Sequence, residues 1–374
     1  MSFTESKFQD DSVFQVIERD YLTLDDDECK RNSELLKMIV EENFIHLMKR
    51  DKLFATIFNR VVYGGSYYKG TKYGRPNEFD LYLVHKLDNF GTDLMIDSDY
   101  YHPGYVKIMA NYRNSGFLRF KEELEKMTDF NNYLDHEKFR AWLEGVFTKA
   151  FETLPSASSA SSNSRNMYRF SLKKTGPAFT LTVKAPNDTN VFDVDLVPAI
   201  EFNSIHLSTE YKNYNKYKRP CFVISKPLYK SIPNDNLFWR LSFSENEKNI
   251  LSGELKPVIK MMKKFRDTQE MKSIKSYFIE TIFYHELENH KYHLGQFERS
   301  SKTQLFIHGL RKLREALKNG KLPYFWHERL DLFQKMSRNE LENHANRLGS
   351  ILDDIERQIG YNKLILKKYI CGTS

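Results

Sequence analysis

The sequence predicts an α+β fold in two parts, a mixed-sheet lobe over residues 1–205 and a helical lobe over residues 206–374. Three observations lead there. Residues 22 to about 58 carry the apolar stripe of a long helix, two acid-bearing runs at 78–84 and 191–202 have strand composition, and from Ser244 onward nearly every segment has helical periodicity.

The first helix owes its stripe to Leu35, Leu36, Ile39, Val40, Phe44, Ile45 and Leu47. Lys30, Arg31, Lys37, Lys49, Arg50 and Lys52 decorate it or its end. Next comes GGSYYKGTKYGRPNEFDLYLV, residues 64–84. Its Gly64-Gly65-Ser66 start would let the backbone approach a polyanion, with amides and a hydroxyl turned to phosphate oxygens. In the strand that follows, side chains two apart share a face, so Glu78 and Asp80 are neighbours. Such a pair suits either a cation between the carboxylates or the solvated acidic face of a surface hairpin. A third carboxylate on a later strand favours the cation.

Residues 89–112, rich in Gly, Asp and Tyr, read as an irregular excursion. Phe139, Trp142, Leu143, Val146, Phe147 and Phe151 then mark a helix over 136–154. PSASSASSNSRN, residues 155–166, has too little to bury and reads as a mobile loop or linker. Strands are predicted at 167–173 and 179–184 around the turn-forming Lys174-Thr175-Gly176-Pro177. The third-carboxylate candidate lies in VFDVDLVPAIEF, where Asp193 and Asp195 share one face, Phe192, Val194 and Leu196 take the other, and Pro198 is expected to end regular pairing. A central strand rarely turns two acids to one face without a cation. Lys216, Lys218 and Arg219 mark a basic loop before the helical lobe.

A chain of 374 residues with 28 Phe and 22 Tyr has ample surface to bury, so it is a folded protein. Without a run of 18 uncharged apolar residues or a basic, apolar N-terminal leader, it is expected to be soluble and cytoplasmic. Cys29, Cys221 and Cys371 are odd in number and far apart, which fits a reducing compartment and offers no Cys-x-x-Cys pair. In HELENHKYH, His285 and His290 are five apart, beyond the i, i+4 spacing that brings two imidazoles to one metal, so His285, His290 and His293 read as a hydrogen-bonded or solvated helical face. The net charge of +7 points to phosphate-bearing partners.

Glu78 and Asp80 on one strand with a carboxylate of the Asp193/Asp195 pair on its neighbour, and a Gly-Ser turn upstream, make the donor set of a two-metal phosphoryl-transfer site. In-line attack of a ribose hydroxyl on a held triphosphate is nucleotidyl transfer. No Gly-Lys-Ser/Thr follows the glycines, so the turn is not a P-loop.

With Gly65-Ser66, then Pro76-Asn77-Glu78-Phe79-Asp80, then Val194-Asp195, then Trp239-Arg240-Leu241-Ser242-Phe243-Ser244, the chain resembles the cGAS and cGAS-like receptor branch of animal nucleotidyltransferases. The resemblance runs from the long N-terminal helix nearly to the C-terminus. It implies a bilobed nucleotidyltransferase fold with a spine helix, and a cyclic dinucleotide synthase that acts on ATP and GTP with Mg2+ or Mn2+. Double-stranded RNA would be the activator, remodelling the Gly-Ser loop and inducing a dimer, and the product would act on STING in antiviral innate immunity. Carried over, Glu78, Asp80 and Asp195 are the catalytic metal ligands and Gly65-Ser66 the triphosphate turn. Lys260 and Ser276 match donor-phosphate positions, Tyr277 the aromatic that stacks on a base, and Glu247 a nucleotide-edge contact. Arg240, Ser242 and Lys226 match the acceptor pocket.

Two departures stand out. Where vertebrate cGAS inserts a His-Cys-Cys-Cys zinc module, this chain runs straight through ENEKNILSGELKPVIK, so no structural zinc is expected. Val197 stands where cGAS carries a hydroxyl residue that touches a base, which leaves base selection and linkage open. The RNA surface is expected on the basic face of the first helix together with Lys256, Lys263 and Lys264. RNA is favoured over DNA because the module that grips B-form DNA is absent and insect-type relatives without it respond to duplex RNA. The rival reading is a catalytically silent scaffold or binding protein of the same fold acting in development, against which the complete acid set argues.

Overall fold

A computed structural model describes residues 6–87, 93–111, 120–160, 168–187, 189–202, 207, 210–211, 213–214, 219–251 and 253–372. The chain forms two compact units, one of Asp25–Tyr68 and Pro76–Glu247, the other of Met1–Leu24, Lys69–Arg75 and Lys248–Ser374.

In the first unit the spine helix starts at Asp26, where Asp25 caps it by accepting from the Glu28 amide at 2.7 Å, and Asp26, Asp27 and Glu28 favour the positive end of the helix dipole. It therefore begins four residues later than its stripe suggests. Its middle, Lys37–Phe44, widens into π-turns before Ile45–Met48, and Asp51 caps a separate short helix, Lys52–Ile57. Phe44 meets Phe147 of the His136–Ala160 helix edge-on at 5.6 Å, and Phe147 stacks on Phe179 of the sheet at 4.3 Å. These rings fasten spine, helix and sheet, and burying each contributes about 1.5–3 kcal/mol.

The strands are β1 (Phe58–Gly64), β2 (Glu78–His85), β3 (Asp93–Ser98), β4 (Tyr105–Asn111), β5 (Arg169–Thr175), β6 (Ala178–Lys184), β7 (Asn190–Phe202), β8 (Cys221–Ile224) and β9 (Trp239–Ser242). Their order is β1-β2-β7-β8-β9-β4-β3, with β6 also on β7 and β5 on β6. β2 and β7 are parallel, and the other pairs antiparallel, so the sheet is mixed as expected.

Several expectations need correction. The excursion of 89–112 contains β3 and β4; Val106, Ile108 and Ala110 are buried at every second position, a strand signal masked in the sequence by the polar residues around it, and 88–92 and 112–119 lie outside the described residues. Pro198 does not end β7. Pairing with β6 stops at Leu196 and pairing with β8 starts at Ala199, so the residue without an amide hydrogen falls in the interval between two neighbours while β2 runs on alongside. The division expected at 205 differs from that of the structure, because β8 and β9 extend the same sheet beyond it and the first unit reaches Glu247. The opening of the serine-rich run continues the His136–Ala160 helix; the rest of that run, and the basic residues Lys216 and Lys218, lie outside the described residues.

The second unit is helical, with Leu255–Thr268, Ser276–Asn289, Lys302–Asn319 and Arg338–Gln358 as its main helices and a two-residue strand paired with His327–Asp331 beside them. Asp11 accepts from the Lys302 and Thr303 amides and so ties the N-terminal segment to the start of a helix. Among the described residues no helix is long and apolar enough to cross a membrane.

Candidate active site

The acids are positioned by alternation. Phe79, Leu81 and Leu83 of β2 and Phe192, Val194 and Leu196 of β7 are buried, Phe79 meeting Phe192 at 5.5 Å. The residues between them must turn the other way. Parallel register then sets Asp80 opposite Asp195 and Glu78 opposite Asp193, which places four carboxylates on one face of two adjacent strands. The sheet supplies their hydrogen-bond donors. Thr180 of β6, paired with Asp195, donates to its Oδ1 at 2.5 Å, and Thr182, paired with Asp193, donates to its Oδ1 at 2.6 Å. Asn190 donates to the other oxygen of Asp193 at 3.0 Å. Both oxygens of Asp193 are thus engaged, whereas Asp195 lies beside Asp80. Thr180 and Thr182 escaped the sequence reading, although the TLT alternation of β6 facing the DVD of β7 carries the signal once the hairpin is drawn.

The Gly-Ser turn is fitted to the same acids. β1 ends with Gly64 opposite Asp80, and Gly65 follows with φ +69°. A Cβ on Gly65 would lie 1.7 Å from Asp80 Oδ2, 2.5 Å from its Cγ and 2.9 Å from its Cβ, so only glycine allows the turn to pass this carboxylate. Ser66 follows in the single helical turn Gly65–Tyr68, whose Tyr67 ring packs on Phe79 at 4.8 Å. Burial pushes the Tyr67 and Tyr68 hydroxyls up. At the far end of the loop, buried Asn32 of the spine helix donates to the Pro76 carbonyl at 2.9 Å, and the Asp193 amide donates to the Asn77 carbonyl at 2.9 Å. The residues flanking the loop are therefore fixed to the strands that carry the acids.

Between them, Lys69–Arg75 belongs to the second unit. There Lys69 Nζ donates to Glu280 Oε2 at 3.1 Å and to the Tyr284 hydroxyl at 3.2 Å. Lys263 Nζ donates to Glu280 Oε1 at 2.7 Å and to Thr71 Oγ1 at 3.0 Å, and Tyr73 donates to Asp267. Lys69, Thr71, Lys263 and Glu280 are all buried. Burial alone would raise the Glu280 carboxyl, but the two ammonium groups outweigh it and hold the group at about 2. Lys263 was expected on an RNA-binding face; this is corrected, since its ammonium is spent inside the unit. Lys256 and Lys264 on the same helix are partly exposed, and Lys30, Arg31, Lys37, Lys49, Arg50 and Lys52 are exposed on the first unit.

The remaining positions divide between the units. Arg240 and Ser242 lie on β9, with Arg240 donating to the Gly104 carbonyl at 3.3 Å and resting over the Tyr105 ring; Lys226 is exposed just past β8 and Glu247 is buried. Val197 packs among Val62, Val84, Ala199 and Phe222. In the second unit, Lys260 is partly exposed, Ser276 Oγ accepts from Arg266 at 2.9 Å at the start of its helix, and the Tyr277 ring lies 5.4 Å from Lys69 Nζ. Of the three histidines read as a helical face, His285 is hydrogen-bonded to the Pro323 carbonyl, while His290 sits beside Glu286 and His308.

The donor set fits hard divalent ions, since Glu78, Asp80 and Asp195 offer only oxygens on one sheet face. Residues 67–253 match the Mab-21 protein nucleotidyltransferase domain and residues 254–350 the Mab-21 protein HhH/H2TH-like domain. A cyclic GMP-AMP synthase-like receptor of Trichogramma pretiosum is 37% identical, the alignment covering 97% of this chain and 76% of that one. Receptors of the same name from Aethina tumida (32% identical; 92% and 88% covered) and Tribolium castaneum (29%; 92% and 89%) are also similar. With the matching domains, these relatives and the acids in parallel register, the chain belongs to the cGAS-like receptors of the Mab-21 nucleotidyltransferase family, and it is a nucleotidyltransferase.

Proposed function

We propose that this protein is a nucleic-acid-activated innate immune sensor that joins ATP and GTP into a cyclic GMP-AMP-type dinucleotide, with double-stranded RNA as activator and a STING-type receptor downstream. The observation that carries the catalytic part is the placement of Asp80 and Asp195 as register partners with Gly65 packed against Asp80. Glu78, Asp80 and Asp195 would hold Mg2+ or Mn2+, which when bound supplies charge neutralisation for the attacking and leaving oxygens. Thr180 orients Asp195 by donating to one of its oxygens. Gly65 and Ser66 present amides and a hydroxyl to the donor triphosphate beside these acids, so that hydroxyl attack is in line. Lys260 and Ser276 steady the phosphates, Tyr277 stacks on a base, and Lys226, Arg240, Ser242 and Glu247 receive the acceptor nucleotide.

The ligand reading rests on the exposed cations Lys30, Arg31, Lys37, Lys49, Arg50 and Lys52, with Lys256 and Lys264 in the second unit. Such cations suit phosphate and shape recognition of an A-form duplex. RNA would act through the loop 64–77 by ordering Ser66 against Glu78, and would bring two copies together. Incubation with ATP, GTP and Mg2+ or Mn2+, with and without duplex RNA or duplex DNA, followed by mass spectrometry of the products, tests the proposal. A cyclic dinucleotide formed only with RNA is expected. Linear oligonucleotides, or equal stimulation by DNA, would replace the product or the activator.

A further inference from the structure

We propose that Glu286, His290 and His308 form a binding site for a zinc-class divalent ion within the helical unit. One carboxylate oxygen and two imidazole nitrogens of these residues all lie within 4.8 Å of one another. Glu286 and His290 are four apart, at the end of the Ser276–Asn289 helix, the spacing that brings two side chains to one metal. His308 comes from the Lys302–Asn319 helix and donates a hydrogen bond to Glu286 Oε2, and His290 Nε2 lies 3.6 Å from the same oxygen.

The surroundings aim these groups. Asn289 donates to Glu286 Oε1 at 3.2 Å and Lys312 Nζ stands 3.9 Å from it, so Oε1 is held away and Oε2 faces the imidazoles. His290 stacks on buried Phe297, ring centroids 4.7 Å apart and planes 10° apart, which fixes its ring. Such contacts are what orient metal ligands. Donors about 2.0 Å from a tetrahedral ion stand roughly 3.3 Å apart, so His290 and Glu286 are nearly at ligand spacing and the close His308–Glu286 contact opens to admit the ion. Two nitrogens and one oxygen suit zinc and its neighbours, and are a poor match for Mg2+ or Ca2+. With three protein donors among the described residues the ion keeps a solvent position, as in exchangeable sites and unlike a closed structural zinc. Lys312, bonded also to Glu315, opposes the bound cation.

The test is calorimetric titration of the full chain with zinc alone, in excess Mg2+ to occupy the carboxylate set. The expected result is one equivalent of zinc and a higher melting temperature, because the ion ties two helices of the unit. Glu286→Gln and His308→Ala should weaken binding at least about tenfold. Lys312→Ala should tighten it severalfold. Co2+ should give a visible band that is lost in His290→Ala, whose ring is partly exposed and whose metal-free melt should match the parent's. No zinc bound in excess Mg2+, equal binding by parent and His290→Ala, or weaker binding by Lys312→Ala would each overturn the proposal.

Discussion

Replacing Gly65 by Ala should silence the enzyme while leaving it folded. The backbone at φ +69° costs an alanine about 1–2 kcal/mol. The larger effect is on Asp80, whose Oδ2 would lie 1.7 Å from the new Cβ and must retreat by 1.3 Å to reach even a 3.0 Å contact. A new rotamer would carry the carboxylate away from its position beside Asp195 and still leave the Asp80 Cβ 2.9 Å from the new methyl. Displacement of a catalytic group by about 1 Å costs on the order of a hundredfold in rate. Gly74→Ala is the control: Gly74 has φ +80° with nothing within 4 Å, so it carries the backbone strain without the collision. Pyrophosphate release from ATP and GTP, alongside denaturant melts, separates the two. Gly65→Ala should lose at least about a hundredfold in kcat and Gly74→Ala less than about tenfold, with similar stability losses. Equal activity of the two variants would refute the claim that Gly65 exists to clear Asp80.

His85 is fully buried in β2, hydrogen-bonded to the Ala199 carbonyl at 3.1 Å, and burial pushes it down to about 4 from 6.5. The neutral ring therefore supports folding fully above pH 6.5, and as pH falls toward 4 the unfolded chain takes the proton first, removing about 3 kcal/mol in all; denaturant melts of His85→Gln should lose that part of the acid slope. Glu280→Gln leaves Lys69 and Lys263 buried without their shared carboxylate and should destabilise the helical unit by about 3–5 kcal/mol, with faster amide exchange across residues 69–75; unchanged exchange there would show that this network does not anchor the loop. Charge reversal at Lys49 and Lys264 should lower RNA-stimulated turnover and flatten the salt dependence of RNA binding, whereas Lys263→Glu should act through stability; RNA responses like the parent's in the first two would reject the assigned surface.

The acids were legible because a strand has period two and charges at every second position have few structural explanations. The carboxylate register was not, since it depends on β2 and β7, distant in the sequence, meeting in parallel. Thr180 and Thr182 become meaningful only once β6 is drawn as the antiparallel partner of β7. Lys263 shows a different limit. Leu255, Ile259 and Lys263 follow at steps of four on the buried side of their helix, yet a Lys-Lys pair reads as surface until its buried partner, Glu280, is in view. The boundary expected at 205 came from a change in composition, whereas β8 and β9 are short strands that leave little trace in it.

The choice between Asp195 and Asp193 tests the central claim most directly. Asp195 stands opposite Asp80, while both oxygens of Asp193 are engaged by Thr182 and Asn190. Product formation from ATP and GTP by Asp195→Asn and Asp193→Asn should be measured together, with melts to confirm folding. The account predicts no product from Asp195→Asn and retained product from Asp193→Asn. Retained activity in Asp195→Asn would contradict it and move the metal-binding role to Asp193.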